Sequence, residues 1–277
     1  MRIVVTGGSG QLARAIERFC TEHEVILPPE KELDLSSPEA MDRVIRELRP
    51  GAVINGGALT QVDLCETQEA LAMQINGAAV GHLAKACAGV GALLVQISTD
   101  YVFDGKGQRP YLEDDPVNPS SVYGKSKLLG EQEARKLPDH LILRTAWLYD
   151  AWGNNFLNTM LKVAAEGRTL KVVDDQRGTP TTCRALARQI QAAIGAGCRG
   201  TVHATCAGET TWHGFAAEIF GQRGMTVDLH PCTTEAFPRP APRPAYSVLD
   251  GQRRRSLGCD VMPPWREALA EVLAEKE

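Results

Sequence analysis

Short apolar runs alternate with stretches of helical periodicity along most of the chain. The apolar runs, each interpreted as a strand, cover residues 2–6, 25–27, 52–55, 92–97, 141–144, 171–173 and 202–204. The periodic stretches predict helices near residues 38–48, 68–88, 156–165 and 183–194, and another that begins at Tyr123. This alternation predicts an α/β fold in which a Rossmann-type, doubly wound parallel sheet is covered by helices on both faces.

The alternation weakens after about residue 206, and a proline-rich stretch follows at residues 237–244. We therefore predict two domains: a Rossmann domain of residues 1–147 with 171–205, and a smaller mixed C-terminal domain of residues 148–170 with 206–277. Proline stiffens the backbone and is disfavoured inside a central strand or a helix. The proline-rich stretch is therefore either a surface tether or a rigid loop over a substrate pocket.

Composition argues against several classes of protein. The net charge of the 277 residues is −4 and there is no basic stripe, which argues against a nucleic-acid partner. No apolar run approaches the roughly 18 residues that span a bilayer, and Met1 leads directly into the first strand without room for a signal peptide. The eight cysteines are scattered, as expected of reduced thiols, and no convincing metal-ligand spacing occurs. These features predict a cytoplasmic protein without a metal or a membrane partner.

A glycine-rich turn follows the first strand and precedes a helical pattern. Gly7 permits the tight turn, Gly10 leaves room for the backbone to approach a pyrophosphate, and Ala13 lets the helix pack closely on the sheet. The N-terminus of the helix would offer free N–H groups and the positive end of its dipole to the phosphates. The turn therefore predicts a dinucleotide site.

Tyr123 and Lys127 form a second chemical element. They lie four residues apart at the start of a predicted helix, so their side chains share one face. A phenol beside an ammonium suits proton transfer to a carbonyl, because the cation favours the phenolate and lowers the pKa of the tyrosine. The alternative is that Tyr123 only packs against the aliphatic part of the lysine side chain.

Several candidate residues lie at the ends of predicted parallel strands and should converge at one edge of the sheet: Gly7, Asn55, Ser98 and Arg144.

Several segments together resemble the dTDP-4-dehydrorhamnose reductase family, within the extended short-chain dehydrogenase/reductases. The resemblance covers nearly the whole chain. It is carried mainly by GGSGQL (7–12), ISTDYVFDG (97–105), YGKSK (123–127), RTAWLY (144–149) and RPAYSVL (243–249). The tyrosine–lysine element by itself indicates only the superfamily, whereas the second and fourth segments are much more specific.

The resemblance implies reduction of the 4-keto group of dTDP-4-dehydro-L-rhamnose to dTDP-L-rhamnose by NADPH or NADH, with the sugar nucleotide held by the smaller domain. It implies a catalytic set of Thr99, Tyr123 and Lys127, with Tyr123 as the general acid. Cofactor contacts are implied for Gly7, Gly10, Gln11, Leu12, Asp34, Leu35, Ala58, Leu59, Thr60, Tyr123 and Lys127. Substrate contacts are implied for Thr99, Asp100, Tyr101, Trp147 and Arg243, the last as a diphosphate clamp.

The chain also departs from the family pattern. Gly56 and Gly57 stand where the family usually has alanines, which predicts a looser loop against the cofactor. Ala15 stands where some relatives carry a metal-binding glutamate between subunits, so we expect no metal and a monomer or weak homodimer. No acidic residue obviously ends the second strand, and Lys31 could accept a 2′-phosphate, which favours NADPH.

Two other functions remain open. A 4-ketoreductase for another dTDP-deoxysugar would share these motifs and would differ in how the pocket around Trp147 orients the sugar ring. A non-catalytic regulatory protein, resembling the β subunit of methionine adenosyltransferase, would share the fold and bind a nucleotide. Such a protein would not need the set of Thr99, Tyr123 and Lys127.

Overall fold

The structure, a computed structural model, describes residues 1–275; Lys276 and Glu277, the end of the predicted C-terminal domain, lie outside this range. The first half of the chain contains β1 (Arg2–Thr6), α1 (Gln11–Phe19), β2 (Glu24–Ile26), α2 (Pro38–Leu48), β3 (Ala52–Asn55), α3 (Val62–Thr67), α4 (Glu69–Ala72), α5 (Ala79–Val90), β4 (Leu93–Thr99) and α6 (Val122–Ala134). The second half contains β5 (His140–Thr145), β6 (Leu148–Tyr149), α7 (Phe156–Ala165), β7 (Leu170–Val173), β8 (Arg177–Gly178), β9 (Thr181–Thr182), α8 (Cys183–Gly195), β10 (Gly200–His203), β11 (Thr210–Thr211), α9 (Trp212–Gln222), β12 (Leu229–Cys232), α10 (Gln252–Ser256) and α11 (Trp265–Ala274).

Within the described chain, six strands form one parallel sheet in the order β10-β5-β4-β3-β1-β2. The order reverses at β1, because β2 lies on one side of it and β3 on the other. Thr6 pairs with Asn55 and Asn55 with Gln96, so the carboxyl ends of the central strands lie at one edge. This topology confirms the predicted Rossmann-type, doubly wound sheet. Ligands of such sheets bind at this edge, next to the reversal of strand order.

Successive side chains of the central strands enter opposite helix layers. Ile3 and Val5 pack into a core shared with α1 and α8, whereas Val4 packs into a core shared with α2 and α5. All three side chains are fully buried. Burial of such a side chain contributes roughly 1.5–3 kcal/mol relative to exposure, so an apolar run buried on both faces has a strong driving force to form an inner strand.

A smaller layer of helices lies beside the sheet. Helices α7, α9 and α11 share an apolar core that includes Leu157, Phe215 and Leu269. The prediction that residues 171–173 belong to the parallel sheet was wrong, because β7 pairs with β12 outside that sheet. Val172 is the buried residue of this strand and Lys171 is exposed, whereas an inner strand covered on both faces needs apolar residues on each. The remaining domain boundaries stay a prediction.

Helix α6 is attached to the sheet by a buried ion pair. The Arg144 guanidinium on β5 donates two hydrogen bonds of 2.8 Å to the two carboxylate oxygens of Glu131 on α6, and the side chains are 2% and 0% exposed. The Ser98 hydroxyl on β4 donates a third bond to Glu131. Burial opposes ionisation of Glu131, but the bonds and charge of Arg144 outweigh it and lower the pKa of the carboxyl. The pair therefore holds α6 against β4 and β5.

We expect Glu131→Gln to lower the free energy of unfolding at pH 7 by about 3–5 kcal/mol, because Arg144 would be left buried without its counter-charge. Since the folded-state pKa of Glu131 is lowered, its stabilising contribution is complete above the ordinary value of 4.5 and is lost as the pH falls through the lowered value. Urea denaturation should therefore show a difference in the free energy of unfolding between the parent and the variant, and this difference should decrease as the pH is lowered.

Glu133→Gln is the matched control. Glu133 also lies on α6 but pairs with Lys136 at the surface, so its replacement should cost no more than about 1 kcal/mol. The anchoring role of the buried pair would be contradicted if Glu131→Gln lowered the free energy of unfolding no more than this control does. It would also be contradicted if the loss in Glu131→Gln did not depend on pH.

Candidate active site

A cavity of about 870 Å³ opens along the carboxyl edge of the sheet. Every residue predicted to contact the cofactor lies on its wall: Gly7, Gly10, Gln11, Leu12, Asp34, Leu35, Ala58, Leu59, Thr60, Tyr123 and Lys127. The same wall contains Thr99, Asp100, Tyr101 and Trp147, four of the five predicted substrate contacts. The fold therefore brings together side chains from positions more than a hundred residues apart in sequence.

The glycine-rich turn closes tightly between β1 and α1. Gly7 has φ of +69°, and the Gly10 N–H donates to the Gly7 carbonyl at 2.9 Å. A Cβ on Gly7 would lie 2.8 Å from the Gly57 Cα, so a side chain is excluded by both conformation and space. No side chain in residues 1–275 caps α1, which leaves the N–H groups of its first turn for an anion. The turn thus fits the pyrophosphate of a dinucleotide.

A row of buried polar side chains crosses the sheet from β1 to β4. The Thr6 hydroxyl donates to the Asn55 amide oxygen at 2.6 Å, and the Asn55 amide donates to the Gln96 amide oxygen at 2.8 Å. The Gly57 N–H donates to the Thr6 hydroxyl at 3.0 Å. A Cβ on Gly57 would lie 2.7 Å from a methyl of Leu35. The loop predicted to be loose is therefore held closely against the β1 turn.

The β2 end of the cavity carries carboxylates. Asp34 lies on the wall, and its carboxylate accepts from the backbone N–H and hydroxyl of Ser36, both at 2.7 Å, which lowers its pKa. Glu30 also lies on the wall and accepts a hydrogen bond from the Ser9 hydroxyl. Lys31, from which a preference for NADPH was predicted, is exposed and lies off the wall. The sequence signal for Glu30, missed above, is its spacing of about 20 residues from the glycine turn.

Tyr123, Lys127 and Thr99 meet at the β4 end of the cavity. Tyr123 and Lys127 lie one turn apart on α6, and the Thr99 hydroxyl at the end of β4 hydrogen-bonds the Tyr123 phenol. The buried Lys127 ammonium donates to the Ile97 carbonyl at 2.6 Å. Ser121 caps α6 through the Gly124 N–H, which places Tyr123 in the first turn. Tyr123 therefore faces the cavity rather than only packing on the lysine stem.

The pKa of Tyr123 differs from the prediction. Burial raises it above its ordinary value, and the charge of Asp100 raises it further, against a lowering by the Thr99 hydrogen bond. The expectation was that Lys127 and a nicotinamide cation together bring this pKa towards neutrality; in the protein alone, Lys127 does not do so. Burial also lowers the pKa of Lys127 to about 8. The desolvation of both groups outweighs their proximity, so Tyr123 holds its proton at neutral pH.

Asp100 and Tyr101 continue the same wall. The Asp100 carboxylate accepts from the Thr99 hydroxyl at 2.9 Å, and burial raises the pKa of Asp100 to about 6. The Tyr101 ring meets the Tyr123 ring edge to face, with 5.5 Å between centroids. Two phenols and a shielded carboxyl thus surround the hydroxyl of Thr99, and this arrangement suits hydrogen bonding to a carbonyl and its neighbouring hydroxyls.

Trp147 also lies on the cavity wall and stacks on Trp212, which lies there too. The ring centroids are 3.5 Å apart and the planes differ by 8°. Trp147 has φ of +48°, a left-handed conformation that costs a non-glycine residue of order 1–3 kcal/mol and is often found at functional sites. Trp212 was missed from the sequence, because it opens a helix in the region of weak pattern and gives no local signal. Together the indoles form a flat apolar surface beside the polar wall.

Arg243 does not lie on the cavity wall. Its guanidinium donates to the Asp63 carboxylate at 2.9 Å, and Asp63 also accepts from the Ala241 N–H at 3.2 Å. The proline-rich stretch is thereby attached to α3. The charge of Arg243 nevertheless acts on Tyr101, so it lies near the β4 end of the cavity. Its role as a diphosphate clamp stays a prediction.

Two further findings concern the described part of the chain. No helix within residues 1–275 combines the length and the apolar character needed to cross a lipid bilayer. In the same range, no three histidine, cysteine or acidic side chains are grouped closely enough to hold a metal ion.

We expect Gly178→Ala to displace Trp147 from its stack, because a Cβ on Gly178 would lie 2.6 Å from the indole. The expected loss of stability is about 1–3 kcal/mol, as for other overpacked sites. The near-ultraviolet circular dichroism signal of the stacked indoles should also decrease, because the two rings would no longer be coupled. Gly195→Ala is the control, because open space surrounds that position in the described structure. An unchanged spectrum in Gly178→Ala would show that the stack does not depend on this close contact.

Comparisons with known proteins agree with the site. A family model described as the RmlD substrate binding domain matches residues 1–277. A dTDP-4-dehydrorhamnose reductase of Streptomyces griseus is 43% identical over 280 residues, covering 98% of this chain and 92% of that protein. A Streptomyces antibioticus protein named "Probable dTDP-4,6-dihydroxy-2-methyloxan-3-one 4-ketoreductase" is also 43% identical, over 99% of this chain and 95% of its own length.

A solved structure is similar over the same extent. The crystal structure of dTDP-4-dehydrorhamnose reductase from Bacillus anthracis in complex with NADP superposes with a TM-score of 0.96. It is 36% identical in sequence and covers 99% of each chain. The similarity therefore extends across the Rossmann sheet and the smaller helical layer alike.

Proposed function

The chain belongs to the dTDP-4-dehydrorhamnose reductase family, and we propose that it reduces the 4-keto group of dTDP-4-dehydro-L-rhamnose to dTDP-L-rhamnose with NADPH or NADH. One observation carries the proposal: Thr99, Tyr123 and Lys127 line the same cavity as the glycine-rich turn. A proton donor and a dinucleotide site on one cavity are what ketone reduction requires. A regulatory nucleotide-binding protein would not require that pairing.

The residues present fit a nicotinamide dinucleotide. The uncapped N-terminus of α1, next to Gly10, would hold the pyrophosphate, and Asp34 and Leu35 would contact the adenosine. One of the three N–H groups of the Lys127 ammonium donates to the Ile97 carbonyl, so two remain that could donate to the ribose next to the nicotinamide. The NADP bound in the Bacillus anthracis relative supports this use of the cavity. When bound, the nicotinamide ring supplies a hydride to the carbonyl carbon.

Tyr123 would donate its phenolic proton to the carbonyl oxygen of the sugar. The raised pKa keeps the phenol protonated at neutral pH but opposes release of the proton, so the positive charge of Lys127 would be needed to favour the phenolate as the carbonyl oxygen takes up the proton. The Thr99 hydroxyl, which donates to Asp100 in the structure, would turn its proton to the same oxygen as negative charge develops there. The Lys127 ammonium would stabilise the phenolate left behind. Hydride on carbon and proton on oxygen together complete the alcohol.

The sugar would lie between the polar wall and the indoles. Trp147 and Trp212 would offer a flat apolar surface to the ring, and Tyr101 and Asp100 would offer hydrogen-bonding groups to its hydroxyls. Arg243, held by Asp63 near Tyr101, would contact the diphosphate as the sugar nucleotide enters. These surfaces would decide which face of the ketone meets the hydride.

A 4-ketoreductase acting on another dTDP-deoxysugar is the second candidate. The Streptomyces antibioticus relative is named as a 4-ketoreductase of a different dTDP-sugar, and it is as similar in sequence to this chain as the Streptomyces griseus reductase. Both reactions need the same proton donor and the same cofactor. NMR spectroscopy of the product would separate them, because the configuration at C4 and the other ring substituents identify the sugar.

We expect the purified protein to oxidise NADPH or NADH only when a dTDP-4-keto sugar is generated by upstream enzymes, as followed by absorbance of the reduced nicotinamide. Tyr123→Phe should lower turnover by about 10²–10⁴-fold, the usual contribution of a general acid. Its affinity for the reduced cofactor, measured by fluorescence titration, should stay within about twofold of the parent.

Tyr111→Phe is the control for this variant. The Tyr111 hydroxyl donates to Asp104 outside the cavity, so its loss removes a phenol without touching the proposed proton path. Turnover of this variant should match the parent. Equal losses of turnover and cofactor affinity in Tyr123→Phe would indicate a structural role for Tyr123. Absence of oxidation with every dTDP-4-keto sugar would refute the reductase proposal.

A further inference from the structure

Two side chains from different parts of the chain cap the first turn of α6. The Ser121 hydroxyl, directly before the helix, accepts from the Gly124 N–H at 3.1 Å. The Glu66 carboxylate, from the short helix α3, accepts from the Val122 N–H at 2.8 Å. The first N–H groups of a helix have no partner within it, so each bond satisfies a group that the helix leaves open. Tyr123 lies between the two capped positions.

The cap that Glu66 supplies is the stronger one by its chemistry. A hydrogen bond to a carboxylate is roughly twice as strong as one between neutral groups. A negative charge at the N-terminus of a helix also interacts favourably with the positive end of the helix dipole. The sequence of the first turn of α6 contains no acidic residue of its own. Glu66 therefore supplies from α3 the charge that α6 lacks.

Helix α3 holds Glu66 in a defined position. A helix of 6 residues is too short to be stable alone, so its place comes from tertiary contacts. Asp63 on α3 accepts from the Ala241 N–H at 3.2 Å and from the Arg243 guanidinium at 2.9 Å. Cys65, the neighbour of Glu66, is fully buried. The carboxylate of Glu66 is thereby presented to α6 from a fixed support.

The position of Tyr123 depends on this first turn more than the rest of the helix does. The buried pair of Glu131 and Arg144 fixes α6 more than two turns, about 12 Å, further along the helix. The buried Lys127 ammonium is held by its own bond to the Ile97 carbonyl. A shift of the first turn would therefore move Tyr123 and leave Lys127 in place.

Helix α3 also contacts the Tyr123 ring. Cys65 and Val122 belong to a small buried cluster against which Tyr123 packs. Val122 thus has its backbone N–H bound by Glu66 and its side chain packed in the same cluster as Cys65. Rotation of the first turn would break both contacts at once. The two contacts together define one position for the Tyr123 side chain on the cavity wall.

We propose that Glu66 is a positioning residue, whose carboxylate fixes the first turn of α6 and thereby sets the place of the Tyr123 hydroxyl. Glu66 lies off the cavity wall, so it acts through Tyr123 and not on the ligands. The inference rests on the proposed function, because the place of this hydroxyl affects turnover only if Tyr123 donates the proton.

Amide hydrogen exchange tests the contact without any substrate. Glu66→Ala removes the acceptor, so exchange of the Val122 amide, followed by NMR spectroscopy, should accelerate at least about tenfold. Glu66→Gln keeps an oxygen that can accept the same bond and should leave this exchange within about threefold of the parent. Glu66→Asp shortens the reach by one methylene and should behave as Glu66→Ala does, which provides a second probe if Glu66→Ala does not fold.

Steady-state kinetics test the consequence for Tyr123. In Glu66→Ala, kcat with a dTDP-4-keto sugar should fall about 10–100-fold, because displacement of a reacting group by about 1 Å can cost about 10²-fold. The dissociation constant of the reduced cofactor should stay within about twofold of the parent, since Lys127 keeps its own bond. Glu66→Gln should restore kcat to within about threefold of the parent.

Glu69→Ala is the matched control. Glu69 is an exposed carboxylate at the start of α4, and its removal should leave both the Val122 exchange and kcat unchanged. Circular dichroism establishes that each variant is folded at the assay temperature. If Glu66 only stabilised the fold, Glu66→Ala would melt at a lower temperature but would keep the kcat of the parent, and this result would overturn the proposal.

The outcomes also separate this inference from the proposed function. Unchanged exchange of the Val122 amide in Glu66→Ala would overturn the role of Glu66, whatever the parent reduces. Equal losses of kcat in Glu66→Gln and Glu66→Ala, or a matching loss of cofactor affinity, would overturn the positioning of Tyr123 and leave the reductase proposal standing. Accelerated exchange in Glu66→Ala, with a parent that reduces no dTDP-4-keto sugar, would refute the proposed function and still support the placement of α6 by Glu66.

Discussion

The buried pair of Glu131 and Arg144 is the interaction on which the site depends. Helix α6 carries Tyr123 and Lys127, yet the face it buries is largely small or polar and offers little apolar surface to hold it in place. Orientation therefore comes from the bidentate contact with β5, the Ser98 bond from β4 and the close approach of glycines such as Gly124. An ion pair specifies one geometry, whereas an apolar face tolerates rotation. That specificity places a tyrosine and a lysine on the cavity with little freedom to move.

The parallel sheet supplies the other half of the geometry. Because its strands run in one direction, their carboxyl ends meet, and the polar row through Thr6, Asn55 and Gln96 satisfies side chains that would otherwise be buried without partners. The Ile97 carbonyl accepts from both Gln96 and Lys127, so the row reaches the proposed catalytic end. The two ends of the cavity differ in character: carboxylates at β2, and a buried cation with aromatic rings at β4 and β5.

Local pattern predicted most of the elements because their causes are local. The spans Arg2–Thr6, Pro38–Leu48, Ala52–Asn55 and Phe156–Ala165 appear in the structure as predicted, since periodicity and capping residues act within a few residues. The errors have a different origin. The partner of β7 depends on a strand almost sixty residues later, and the pKa of Tyr123 depends on how deeply the whole cleft buries it. The contact of Trp212 with Trp147 and that of Asp63 with Arg243 could not be predicted either, because each joins residues that are far apart in the sequence.

The amino-acid sequence alone determined the alternating α/β architecture, the glycine turn, the tyrosine–lysine pair and the family. Each of these depends on short segments whose residues are close together along the chain. Tertiary structure decided which charges share a surface. Glu30 and Lys31 are adjacent in sequence, and only the packing of the β2 loop against the Ser9 turn puts the carboxylate on the cavity wall and the ammonium outside it. Electrostatic energy depends on distance and solvent exposure, and neither can be obtained from order along the chain.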